Sequence, residues 1–94
     1  MKPQKLYDEL SEIAMSLGYK IRKDTGNFKS NNCILKDEKI IILNKYVSIE
    51  GHNSTLAKAI YDANYEDIFL KPVIRDYIDQ IAIIEKTQVS SSSQ

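Results

Sequence analysis

Few residues in this chain have the types needed for covalent or metal chemistry. It holds one cysteine, Cys33, and one histidine, His52. An imidazole beside a thiol makes an activated nucleophile, and these two residues are the only members available for such a pair. Their contexts argue against it. Cys33 lies in the apolar run Cys33-Ile34-Leu35, where a strand would bury it and leave the thiol inert. His52 falls in the first turn of a helix, where the dipole disfavours the imidazolium. Zinc needs His-x-x-x-His or Cys-x-x-Cys spacing and calcium needs a regularly spaced acidic loop; the sequence has neither. Asp76 and Asp79 stand one helical turn apart beside Arg75 and read as a solvated face. The three glycines are too scattered to build a phosphate cradle. No catalytic set, metal or cofactor is therefore expected.

The next chemistry to weigh is polyanion binding. Tyr19-Lys20-Ile21-Arg22-Lys23 and Asn27-Phe28-Lys29 interleave aromatic and basic side chains. Lys20, Arg22, Lys23, Phe28 and Lys29 are the candidate nucleic-acid contacts. The first five elements, in the order α-β-β-β-α, resemble a double-stranded RNA-binding domain. That family opens its second helix with a lysine cluster that grips phosphates. Here Asn53-Ser54-Thr55-Leu56-Ala57-Lys58 offers one lysine, and the pI is about 6.6. Nucleic acid is the alternative partner rather than the leading one.

These residues must be positioned by a small set of elements. Pro3 to Gly18 reads as a helix whose stripe is Leu6, Leu10, Ile13, Ala14 and Leu17. Tyr19–Lys23 alternates as a strand. Asn32–Lys36 and Lys39–Leu43 read as a hairpin around Asp37-Glu38, with Leu35 opposite Ile40 and Cys33 opposite Ile42. A four-residue loop keeps that parity, whereas Asp-Glu is a poor two-residue turn. Ser48 is a candidate N-cap for a second helix reaching Ala63; Gly51 and Asn53 weaken its first turns, which leaves Ser54 as the alternative start. A third helix opens at Pro72 and runs to about Lys86. Thr87–Gln94 reads as a disordered Ser-rich tail. The fold class is α+β, with order α-β-β-β-α-α and a three-stranded antiparallel sheet packed with helices in one domain over residues 1–86.

The hairpin is apolar on both sides. Three helical stripes can bury one another against one sheet face, which leaves Ile34, Ile41 and Leu43 as a candidate interface rimmed by Lys20 and Arg22.

A longer segment resembles the ImmA/IrrE zincin-like metallopeptidases. Cys33-Ile34-Leu35-Lys36 and Lys39-Ile40-Ile41-Ile42-Leu43-Asn44 would form the hairpin. Thr55-Leu56-Ala57-Lys58-Ala59-Ile60-Tyr61-Asp62 would match a helix that reads T-L-A-H-E-L-x-H in the family. The resemblance covers residues 31–63. It implies zinc-binding histidines at Lys58 and Asp62 and a general-base glutamate at Ala59. All three are replaced, so it implies a degenerate scaffold without zinc.

Composition sets the outer bounds. The 94 residues, 43% hydrophobic and 28% charged, suit one soluble globular domain. No apolar run exceeds the four residues of Ile40–Leu43, far below the roughly 20 residues of a membrane span. One cysteine excludes an intrachain disulfide, and the N-terminus lacks a hydrophobic signal core, so a cytoplasmic setting is expected. Abundant Ile, Lys, Asn and Tyr without Trp fits the coding bias of an AT-rich bacterial genome. Net charge is zero but segregated, with nine basic and six acidic side chains over residues 1–45. The expected function is non-catalytic contact with another protein or with a second copy, a weak homodimer included.

Overall fold

Helix α1 (Pro3–Ser16) begins at the expected proline and ends through Leu17, whose N–H reaches the Ile13 and Ala14 carbonyls. Gly18 follows at φ +95°, a left-handed conformation that favours glycine and turns the chain into β1 (Lys20–Asp24). The structure is a computed structural model that describes residues 1–25, 31–63, 65 and 68–92. The hairpin follows as β2 (Cys33–Leu35) and β3 (Ile40–Asn44), then helices α2 (Ile49–Asp62) and α3 (Pro72–Ser92).

The hairpin pairs as its hydrophobic pattern dictates, with Cys33 opposite Ile42, Ile34 opposite Ile41 and Leu35 opposite Ile40. Its loop is the four-residue stretch Lys36–Lys39, closed by the Lys39 N–H on the Lys36 carbonyl at 3.2 Å, with Lys39 at φ +54°.

The sheet is not wholly antiparallel. Its order is β1-β3-β2, and β1 runs parallel to β3, with Lys20, Ile21 and Arg22 beside Ile40, Ile41 and Ile42. The expected antiparallel sheet is corrected to a mixed one, for a reason that alternation does not encode. β3 is the most apolar strand, and the centre of the sheet buries it best. The charged β1 and the short β2 take the edges, where such strands resist stray pairing.

One face of this sheet carries Ile21, Ile34, Ile41 and Leu43, and the helices pack there. Ile41 and Leu43 have no exposed surface and join Leu10, Leu56, Ile60, Ile74 and Ile78 in one core. The opposite, outer face carries Lys20, Arg22, Cys33, Leu35, Ile40 and Ile42, and none of them packs against that core.

Helix α2 starts at Ile49, capped by the Ser48 hydroxyl, which accepts from the Gly51 N–H at 3.1 Å. A Cβ at Gly51 would stand 2.5 Å from a Val47 methyl carbon, so the glycine lets the preceding loop fold against the helix. Helix α3 packs on α2 and more lightly on α1, where Lys71 meets Glu9 at 3.1 Å, and among the described residues its backbone does not approach the strands. It continues beyond Lys86 to Ser92, so residues 87–92 are helical rather than a disordered tail. No glycine or proline follows Pro72 to stop it, and extending a helix is easier than nucleating one. Residues 93–94 of the expected tail lie outside the described residues.

Candidate functional site

The outer sheet face is built by pleat alone. Alternate residues of three strands converge on it: Cys33 and Leu35 from β2, Ile40 and Ile42 from β3, Lys20 and Arg22 from β1. The four uncharged side chains are half-buried, while Lys20 and Arg22 are exposed. Neither cation has an ion-pair partner among the described residues. Asp24 follows by parity at the far end of β1. Among the described residues no helix covers this face, so the result is a small apolar patch with a basic edge.

On the helix side a polar cluster ties the open end of the hairpin to α2. The Asn32 amide oxygen accepts the Asn44 N–H at 2.7 Å. That contact assigns the amide nitrogen, which donates to Thr55 Oγ1 at 2.9 Å and lies 3.1 Å from His52 Nδ1. A donor at that distance requires Nδ1 to be the acceptor, so neutral His52 carries its proton on Nε2. Burial, then the Lys23 charge, holds the His52 pKa below its ordinary value. The Lys23 ammonium lies 5.4 Å from the centre of the Tyr7 ring, and that ring is tilted toward His52 at 6.3 Å. The Thr55 and Ser54 hydroxyls both donate to the Gly51 carbonyl, at 2.9 and 3.0 Å, so neither is paired with a base.

Two concavities flank α2. A groove of about 320 Å³ between β2 and α2 is lined by Asn32, Ile34, Lys36, Ser54, Thr55 and Lys58. A cavity of about 620 Å³ where α2 gives way to α3 is lined by Tyr61, Asp62, Tyr65, Leu70 and Arg75, among others. Among the described residues no cluster of three His, Cys, Asp or Glu could hold a metal.

The expected sites separate on this frame. Ile41 and Leu43 are wholly buried in the chain's own core and Ile34 packs against it, so these three cannot form the expected interface. The sheet face without helix cover among the described residues is the other one. Alternation had separated the two faces correctly but could not say which the helices would choose. Lys20 and Arg22 rim that outer face, not the face of Ile41. Lys23 points to the helix side, so the basic strand splits its charge between the two faces, and Phe28 and Lys29 lie outside the described residues.

Cys33 is half-buried on the outer face rather than enclosed, while His52 lies on the helix side; the sheet stands between them. Lys58 and Asp62 are exposed, with Asp62 3.3 Å from Lys36, and Ala59 is wholly buried in the core. Sequence reasoning missed Asn32 and Asn44 as a structural pair. The available signal was two asparagines flanking the same open end of the hairpin. Compared with protein-family models, curated proteins and solved structures, the chain matches none.

Proposed function

We propose that the protein acts by contact rather than by catalysis, docking a polypeptide on the outer face of its sheet. The observation that carries this reading is a parallel strand pair, β1 and β3, covered by helices on one face only among the described residues. Parallel pairs are ordinarily covered on both faces, because both carry apolar side chains. Ile40 and Ile42 supply that second apolar surface here, with Leu35 and Cys33 beside them. Completing the burial of these two half-buried isoleucines is worth about 1.5–3 kcal/mol before the cost of association is deducted. The reading places the protein in the reducing cytoplasm and treats the zincin-like segment as scaffold without zinc chemistry.

Cys33 supplies a natural probe, since it lies on the proposed surface and is the only cysteine. A benzophenone maleimide on Cys33 should form a discrete photoadduct with a polypeptide, its own or a foreign one. Unlabelled protein should compete the adduct away, and Ile42→Lys should abolish it. A labelled protein that forms no adduct, alone or in extract of its source cells, ends the reading.

A further inference from the structure

Building on the contact reading, we infer that the occupant of the outer sheet face is the outward side of helix α3 from a second copy, so that copies join head to tail. Helix α3 is apolar on two sides. Ile74, Ile78 and Ala82 face the core. Val73, Asp76, Gln80, Ile83 and Ile84 recur at helical spacing on the other side, where Val73 is 47% exposed, Ile84 51% and Ile83 64%. Val73 and Ile84 thus expose apolar surface on the side of α3 turned away from the core.

The two surfaces match in length and in charge. A sheet face open over a parallel pair is completed by a helix. From Val73 to Ile84 the helix spans about 17 Å, and a five-residue strand such as β3 spans roughly 13–17 Å. Asp76 lies on the exposed stripe within one turn of its start, while Lys20 and Arg22 edge the sheet face. Two sheet faces set against each other would instead share one basic character. Helix-on-sheet contact also follows the division of charge along the chain, basic in residues 1–45 and acidic after them.

Helix α2 lies between α3 and the strands, so one copy offers its two surfaces to different neighbours. Such a contact is heterologous, and it propagates into a ring or an open chain instead of stopping at two copies.

Sedimentation of the full chain over a concentration series tests this. The mass should climb past that of a dimer in low salt and fall back in high salt. Ile42→Lys blocks the sheet face and Ile84→Asp blocks the helix stripe, so each variant alone should be a monomer. Mixed in equal amounts they should form one-to-one pairs and nothing larger, because one good copy of each surface remains. Arg22→Glu is the second sheet-face variant and should replace Ile42→Lys if the latter folds poorly. A wild-type mass that stops at a dimer, a wild type that stays monomeric, or a variant mixture that never pairs overturns the inference. The Cys33 photoadduct separates this from failure of the contact reading. A foreign adduct on a monomeric protein removes the second copy and keeps the contact surface, whereas no adduct removes both.

Discussion

Asn32 ties the open end of the hairpin to α2, and its chemistry is strict. Its oxygen serves the Asn44 N–H and its nitrogen serves Thr55 and His52. Asn32→Ala removes both ends and leaves the Asn44 N–H without its acceptor in a part-buried site. The expected loss is about 1–3 kcal/mol, read from urea denaturation. His52 adds a pH dependence with a definite sign. Its pKa is lowered in the folded chain, so the unfolded chain binds the proton first as pH falls. Stability from this residue is intact above about pH 6.5 and is lost as pH drops below that value. A protonated Nδ1 would also present a hydrogen to the Asn32 donor. His52→Gln should therefore lose less stability than wild type between pH 7.5 and 5.5. Equal losses in parallel denaturation curves would show that His52 does not carry the effect.

Among the elements, Gly51 tests whether local propensity or close approach governs the start of α2. Alanine there would gain about 1 kcal/mol of helix propensity. Its Cβ would meet a Val47 methyl carbon at 2.5 Å, and valine has no long flexible end to swing aside. Gly51→Ala should therefore destabilise, and Val47→Ala in the same chain should recover most of the loss, giving a clear coupling in a double-mutant cycle. This contact also marks where sequence reading stops. The Ser48 cap, the Pro3 and Pro72 starts, the Gly18 turn and the Cys33–Ile42 register were legible because local chemistry determines each of them. Strand order was not, since β1 has the same alternation beside β3 as beside β2. The end of α3 was missed because a serine run resembles a linker, although nothing in it stops a helix. In the site, the basic character of Lys20 and Arg22 was legible but their face was not: they were expected beside Ile41 and stand beside Ile40 and Ile42, because a parallel register sets their side and three helices choose which side to cover.

At the scale of the whole molecule, the sheet divides the chain into a covered side and an open side, and consecutive residues of β3 report on each. Ile41 is wholly buried and touches the core formed with the helices; Ile42, one residue on, is half-buried on the outer face. The same substitution at both positions therefore compares two environments with the strand, the register and the chemistry held constant. Ile41→Lys places an unpaired ammonium where no water reaches and removes a core side chain as well. The expected loss is about 3–5 kcal/mol, a large share of the roughly 5–15 kcal/mol that holds a small domain together. The chain should melt far below the wild type or fail to fold. Ile42→Lys lets the long side chain lay its methylenes along Leu35 and Cys33 while its charge reaches solvent beside Lys20 and Arg22. Its cost should stay near 1 kcal/mol, within the range of ordinary surface-facing changes. Thermal melts followed by circular dichroism distinguish the two at once. If Ile42→Lys destabilises as severely as Ile41→Lys, the outer face is closed within the chain and has no room for a partner. If Ile41→Lys is the milder change, the helices pack on the opposite side of the sheet.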